Sequence, residues 1–594
     1  MFSAVFPLAM LRRWFVAVLT FVVAIALSGC NPTQFRTAAA QVPQIVFIST
    51  TDPQTFNYFL NQQSPSVFDY TFEGMLTQNG VTGELEPGIA QSWRISEDNL
   101  KIVFTLREGL KWSDGEPLTV DDVIFTFNDI LFNEAISTDN RDIFRIGEKG
   151  VLPKLRKLDQ RSVEFTVPEP FAPFLLFAGG TAILPEHILR QSVITKDKDG
   201  KPQFLSTWGT DTDPKKIIGN GPFKLESYTP SQRVVFERNP YYWRKDAQGK
   251  SQPYVERLVW QIVENADTSL LQFRAQGVDL LEIGGRTFRL LKREEKRGDF
   301  TIYNGGPAPS KTFIAFNLNK GSRNNRPLVN PIKSRWFNSV EFRQAVAYAI
   351  DRQAMINNVF QGIGELQNSP IAIQSPFYLS AKEGLKVYDY NLAKAKQLLG
   401  EAGFKYNAAN QLLDADGNRV RFTLAVPASG RTGGDMATQM KRDLSKIGIQ
   451  LDLQFIDFGV LGEKLSNTFD WECVLYGLTG GFEPYGGNNV WSPDGGLHLF
   501  NQKPLPGQAP VEGREVADWE AEIGRLYIKG AQELDEQQRK AIYAEAQRLV
   551  QEYLPLIHLV NPLSLAAIRN KIQGTKYSAL GGTLWNVYEL KVVD

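Results

Sequence analysis

The stretch 420–456 constrains the fold most, because it contains a strand, a helix and a second strand in succession. Apolar residues alternate at both of its ends, and apolar residues at helical spacing lie between them. These residues are Phe422, Leu424 and Val426, then Met436, Met440, Leu444 and Ile447, and finally Ile449, Leu451, Leu453 and Phe455. Gly448 stands where the helix would end. Such a unit needs a parallel strand pair with a right-handed crossover, so the sequence predicts an α/β fold.

Strand and helix patterns also alternate along the rest of the chain. A continuous apolar run predicts a buried strand at 45–48, and period-two apolar patterns predict strands at 101–106, 163–167 and 257–263. The helix starts that carry a polar cap are Thr119 with Asp122, Asn338 with Glu341, and Asn391. Two more helices, broken near Gly530, are predicted over 516–553. These elements indicate sheets covered by helices.

Length and charge limit the classes of protein that this chain can belong to. It has 594 residues, and a single core rarely serves more than about 250–300 residues. We therefore expect three or four domains. Basic and acidic residues number 65 each, so the net charge is zero. This balance argues against a nucleic-acid partner, which requires a basic surface.

The first 43 residues have the pattern of an export signal and a tether. Arg12 and Arg13 precede an apolar run at 14–27, too short to cross a bilayer about 30 Å thick. The run leads into Leu-Ser-Gly-Cys, which resembles the bacterial lipobox and would make Cys30 the lipidated first residue of the mature chain. We predict a signal peptide at 1–29 and a lipid-anchored tether at 30–43. A transmembrane anchor or a chance cysteine is the alternative, and Cys473 is expected to be a small buried hydrophobe.

Sequence signatures of enzymes are absent. The chain has three histidines, and none has the spacing of a zinc site. It also lacks the HExxH, CxxC, GxSxG and Walker A motifs. We therefore expect no catalysis, no metal and no cofactor, although a dispersed catalytic triad of an extracellular hydrolase stays possible.

Five segments resemble the family 5 extracellular solute-binding proteins, which include oligopeptide-, dipeptide- and nickel-binding members. One of them reads IIGNGPFKLESYTPSQRVVFERNPYYW at 217–243, and another reads FRQAVAYAIDRQAMINNVFQGIGE at 342–365. The others lie at 87–127, 388–404 and 554–560. Together they cover nearly the entire chain after the tether, in the family's order.

The resemblance implies a two-lobed periplasmic-binding-protein-like clamp of type II with an additional inserted domain. Crossovers near Ser310 and Pro562 would form its hinge. The implied domains are lobe I at 44–76, 217–310 and 562–594, the middle domain at 77–216, and lobe II at 311–561. Such a protein would act as a monomer on the outer face of the cell membrane or in the periplasm. It would deliver a small molecule to an ABC permease and its ATPase.

The implied ligand site lies in the loop after a strand at 469–476. In peptide-binding relatives an aspartate in this loop pairs with the peptide's amino terminus, but the position falls near Gly480 here. Glu483 could replace it by binding an ammonium group, or could only cap a turn. The remaining candidate ligand-binding residues are Tyr485, Asn489, Trp491 and His498 in this loop, and Gln63 and Ser64 in lobe I.

Several functions agree with these patterns. The leading interpretation is a substrate-binding protein that captures a peptide. The same fold could instead hold an oligosaccharide or a metal chelate. A lipoprotein that senses solutes or acts as a chaperone, without an importer, would have the same sequence features.

We predict that Cys30 is lipidated, because the basic, apolar and lipobox segments occur in the required order. Protein extracted from membranes of a bacterial host should have the intact mass of a chain that begins at Cys30 and carries acyl groups. The Cys30→Ser variant should move to the soluble fraction. A mature chain that retains residues 1–29, or a wild type as soluble as the variant, would contradict this prediction.

Overall fold

Three β-sheets with helices on their faces organise the part of the chain that the structure describes. The computed structural model describes residues 42–61, 66–428, 431–505 and 507–593. The signal peptide, Cys30, Gln63 and Ser64 lie outside these ranges. None of the described helices is long and apolar enough to cross a membrane.

The first sheet is mixed and contains the predicted strands at 45–48 and 257–263. These two strands pair in parallel, with Phe47 opposite Trp260. In spatial order the main strands are Phe300–Pro307, Val560–Arg569, Leu280–Glu282, Gln44–Ser49, Arg257–Ile262, Arg233–Arg238 and Phe223–Thr229. Helices Ala266–Arg274 and Gly285–Glu294 accompany this sheet. The alternating burial of strand Arg257–Ile262 matches the period-two pattern of its sequence.

The second sheet contains the strand–helix–strand unit predicted at 420–456. Strands Arg421–Pro427 and Gln450–Ile456 pair in parallel, and helix Arg431–Ser445 connects them, which confirms the prediction. In spatial order the five strands are Gln450–Ile456, Arg421–Pro427, Cys473–Leu478, Lys311–Phe316 and Leu556–His558. Cys473 is buried as expected.

The third sheet is antiparallel, and in sequence it lies between strands Gln44–Ser49 and Phe223–Thr229 of the first sheet. Its strands are, in spatial order, Ala90–Ile95, Lys101–Leu106, Ser162–Thr166 and Lys154–Lys157. The predicted capping box is present, because Thr119 accepts from the Asp121 amide while Asp122 accepts from the Thr119 amide. The helix begins as Val120–Ile124 and continues as a π-helix over Phe125–Leu131.

Further helices and short strands cover the sheets. The other α-helices are Phe68–Thr71, Phe174–Gly180, Glu186–Ile194, Pro331–Asn338, Val340–Ala349, Arg352–Asn358, Leu392–Glu401, Phe458–Glu463, Asn488–Trp491, Asp518–Gln532 and Glu536–Tyr553. The other strands are Leu76–Gln78, Leu85–Pro87, Ser322–Arg323, Arg326–Pro327, Gly364–Leu366, Lys405–Tyr406, Leu412–Leu413, Ile572–Gln573 and Lys591–Val592. Asn391 caps its helix as predicted, by accepting from the Lys394 amide.

The predicted helix start at Asn338 is wrong by one residue. Asn338 is the last residue of helix Pro331–Asn338, and Ser339 caps the next helix by accepting from the Phe342 amide at 3.1 Å. A cap needs an extended backbone and a short side chain that reaches back to the first turn, and Ser339 provides both. The predicted helix break lies at 533–535, just after Gly530.

The chain passes twice between the first and second sheets. Strand Phe300–Pro307 belongs to the first sheet, and Lys311–Phe316 belongs to the second. The chain returns from strand Leu556–His558 of the second sheet to strand Val560–Arg569. Residues 563–569 of this strand pair with Phe300–Pro307 in the first sheet. These passages lie near the predicted crossovers at Ser310 and Pro562. The predicted domain boundaries and the hinge stay predictions.

Arg343 joins the ends of two helices in the core of the second sheet's domain. Its side chain is buried, and burial lowers the pKa of its guanidinium to about 10. The guanidinium donates to the Tyr553 carbonyl at 2.9 and 2.7 Å and to the Phe337 carbonyl at 2.5 Å. Both carbonyls lie at helix C-termini, where intrahelical donors are lacking.

We expect Arg343→Met to lower the free energy of unfolding by about 1–3 kcal/mol for each of the two carbonyls left without a donor. Arg525→Met is the matched control, because the exposed Arg525 pairs with the half-exposed Glu522 and such pairs contribute about 0–1 kcal/mol. Urea denaturation of both variants measures the difference. Equal stability of the two variants would contradict the role assigned to Arg343.

Candidate ligand-binding site

A cavity of about 440 Å³ lies against the second sheet. Lys311, Leu478, Leu556 and His558 line it, and the strand registers place these four residues on one face of the sheet. Leu176 and Phe177, from helix Phe174–Gly180, line the cavity from the opposite side. The cavity is therefore enclosed by two parts of the chain that lie far apart in sequence.

The predicted ligand loop forms one wall of this cavity. It begins where strand Cys473–Leu478 ends, and it contributes residues 479–484 and several residues up to Trp491. Asn489 and Trp491 line the cavity, as expected for ligand-binding residues. The ring of Trp491 also stacks on Tyr527, with the centroids 6.0 Å apart. Only part of the Trp491 side chain can therefore face a ligand.

Glu483 lines the cavity but already has partners inside the protein. Its carboxylate accepts from Arg539 Nη2 at 2.8 Å and from the Tyr485 amide at 3.2 Å. Burial raises the pKa of the Glu483 carboxyl, and the Arg539 charge opposes this rise. Of the two predicted roles, turn capping is therefore the one that has contacts here, and binding of a ligand amine stays a prediction.

Tyr485 points away from the cavity, toward the domain that contains the third sheet. Its ring packs edge-on against Phe171, with the centroids 5.0 Å apart, and its hydroxyl donates to the Arg145 carbonyl at 2.9 Å. The Ala172 amide also donates to the Ala531 carbonyl at 2.7 Å. Tyr485 thus fastens the loop to the opposite wall and does not line the cavity.

His498 lies in the core and does not line the cavity. It is 0% exposed, and Nδ1 lies 2.8 Å from the Val490 carbonyl oxygen while Nε2 lies 2.8 Å from Glu520 Oε1. Both ring nitrogens are therefore engaged within the protein. Among the described residues, no group of three or more His, Cys, Asp or Glu side chains could hold a metal ion.

Lys311 and His558 line the cavity but were not predicted from the sequence. Lys311 begins the strand that follows the first crossover, and His558 ends the strand before the second. Both residues therefore line the cavity because strands that are distant in sequence pair in the second sheet. A charged residue directly after a glycine- and proline-rich crossover was the one sequence signal that could have drawn attention to Lys311.

A cavity that is lined by the second sheet on one side and by helix Phe174–Gly180 on the other can hold a small solute. The sequence profile described as "Bacterial extracellular solute-binding proteins, family 5 Middle" matches residues 84–496. The chain belongs to this family. It is 29% identical over 549 residues to a Deinococcus radiodurans protein named "Probable ABC transporter-binding protein", covering 89% of this chain and 88% of that protein.

Solved structures show the same fold. The oligopeptide-binding protein AppA from Bacillus subtilis, in complex with a nonapeptide, has a TM-score of 0.74 and 22% identity, covering 93% of this chain and 99% of AppA. MelB from Agrobacterium fabrum, in complex with stachyose, has a TM-score of 0.77 and 20% identity, covering 93% of this chain and 85% of MelB. These likenesses confirm the predicted two-lobed clamp of type II.

We expect Arg539→Met to lower the free energy of unfolding at neutral pH by about 3–5 kcal/mol, because it leaves the buried Glu483 carboxylate without its cation. The deficit should shrink at mildly acidic pH. Burial raises the pKa of Glu483 and the Arg539 charge opposes this rise, so the Glu483 carboxyl of the variant binds a proton at higher pH than that of wild type. The stability that this proton restores to the variant is lost as pH rises.

Urea denaturation across this pH range measures the effect. The matched control is Arg548→Met on the same helix, which removes only an exposed pair with Glu545. A deficit that is independent of pH, or equal in both variants, would contradict the assigned ion pair.

Proposed function

We propose that this chain is the lipid-anchored substrate-binding protein of an ABC importer, and that it captures a peptide between its lobes and delivers it to the permease. The observation that supports this most directly is the enclosed cavity of about 440 Å³. Small-molecule sites usually have about 300–1,000 Å³, and the cavity lies near the lower end of this range. A small solute therefore fits it better than a long chain does.

The lining of the cavity suits a peptide. Apolar walls from Phe177, Leu478 and Leu556 can receive side chains, and Thr479 and Asn489 offer hydrogen bonds to a backbone. The nonapeptide complex of AppA supports the same class of ligand. Transport without chemistry also agrees with the family, whose members bind solutes.

An oligosaccharide is the second candidate. Asn489, Trp491 and several glycines lie in one wall of the cavity, and a flat aromatic face beside amides can bind a sugar ring. The stachyose complex of MelB supports this alternative. The two candidates differ in charge, because a peptide carries ionised ends and a neutral sugar does not.

Closure of the two lobes would be the step that captures the solute. The contacts of Tyr485 with Phe171 and of Ala172 with Ala531 hold the two walls together in this conformation. A ligand shifts a clamp toward this closed form only if it binds that form better than the open form. A solute that contacts both walls would do so, because the open form offers only one wall at a time.

We predict that the ligand-free protein opens and that its ligand closes it. Mass spectrometry of the denatured protein should identify a co-purified small molecule. Small-angle scattering should then show a smaller radius of gyration when this molecule is added back to refolded, ligand-free protein. Bovine serum albumin with the same molecule controls for solvent effects. An unchanged radius at saturating ligand would count against closure.

A further inference from the structure

Lys311 places a cation on the wall of the cavity. It is the first residue of strand Lys311–Phe316, opposite Leu478 on the neighbouring strand. The same face carries His558, which pairs with Phe313 in the register. Lys311 is half-buried, so its ammonium group belongs to the lining of the cavity and not to the outer surface.

The Lys311 ammonium group has no ion-pair or hydrogen-bond partner among the residues that the structure describes. The buried arginines, in contrast, have acceptors within the protein: Arg539 pairs with Glu483, and Arg343 and Arg352 donate to backbone carbonyls. Burial lowers the pKa of Lys311 to about 8, so the group is still mainly charged at neutral pH. A charge that is withdrawn from water without a partner destabilises the protein unless something else supplies the partner.

The facing loop leaves room for the ammonium group and offers it no anion. A Cβ atom at Gly480 would lie 2.2 Å from Lys311 Nζ and 2.7 Å from the Pro309 carbonyl oxygen. The glycine therefore allows the lysine to approach the loop closely. The acidic residue of this loop, Glu483, is already neutralised by Arg539.

His558 adds a second polar group with an unused atom. It is 3% exposed, and its Nδ1 has no hydrogen-bond partner among the described residues. Burial, together with the charges of Lys311 and Arg352, lowers the pKa of His558 to about 3, so the imidazole is neutral. Arg352 itself donates to the carbonyls of Gln367 and Tyr388 and does not compete for a ligand.

We propose that Lys311 binds a carboxylate group of the captured solute, beside the neutral imidazole of His558. This inference rests on the proposed function, because it assigns one contact within the same cavity. The carboxylate supplies the negative charge that would pair with the Lys311 ammonium group. A charge-assisted hydrogen bond then forms between Lys311 Nζ and a carboxylate oxygen. A solute without an anionic group would bury the lysine unpaired and would bind less tightly.

The test compares two tripeptide libraries of the same composition, one with free carboxyl ends and one with carboxamide ends, by calorimetry. Wild type should prefer the free-acid library. Lys311→Met should weaken binding of that library by a factor on the order of 10 to 100 and should remove the preference. Lys386→Met is the matched control, because Lys386 pairs with Glu552 outside the cavity, and it should bind as the wild type does.

A second measurement separates a ligand contact from a structural role. Ligand-free Lys311→Met should unfold at the same or a higher temperature than wild type, because it removes an unpaired charge. A lower unfolding temperature would reveal a stabilising partner within the protein and would overturn the inference. Equal binding of both libraries by wild type and variant would overturn it and leave the proposed function intact. Failure of wild type to bind either library would overturn the proposed peptide function and this inference with it.

Discussion

The two passages of the chain between the sheets are the constraint on which the site depends. Each passage continues directly into a strand of the second sheet, so the residues next to the crossovers also line the cavity. Lys311 follows the first passage, and His558 precedes the second. A rotation about these segments would change the distance between the two walls while the floor of the cavity stays attached to the sheet. In the function that we propose, closure and recognition would therefore depend on the same few residues.

Charged side chains in the walls of the cavity generally have a partner within the protein. Glu483, in the loop that lines the cavity, pairs with Arg539. Such buried pairs contribute little net stability, but loss of one partner is costly, so they fix the shape of the walls. Lys311 is the exception, because its ammonium group has no ion-pair or hydrogen-bond partner in the described part of the chain. A group that the fold leaves unpaired in a cavity is available to a ligand.

Local patterns predicted the elements well, and long-range pairing explains what they could not predict. The unit at 420–456 and the cap at Thr119 depend on neighbours in sequence, so periodicity and capping chemistry were sufficient. The partner of Glu483 lies on a helix 56 residues away, and no local pattern indicates it. In the same way, the predicted loop lines the cavity, but whether a loop side chain faces the cavity, as Asn489 does, or the opposite domain, as Tyr485 does, depends on tertiary packing.

We expect a solute with an anionic group to occupy the cavity between the second sheet and helix Phe174–Gly180. The most direct measurement is a crystal structure of the protein purified with its natural ligand. We expect density for one small molecule in the cavity, in contact with Phe177 on one wall and the loop before Trp491 on the other. One of its anionic oxygens should lie within hydrogen-bond distance of Lys311 Nζ. A ligand bound outside this cavity, or one whose neutral part faces Lys311, would contradict the account.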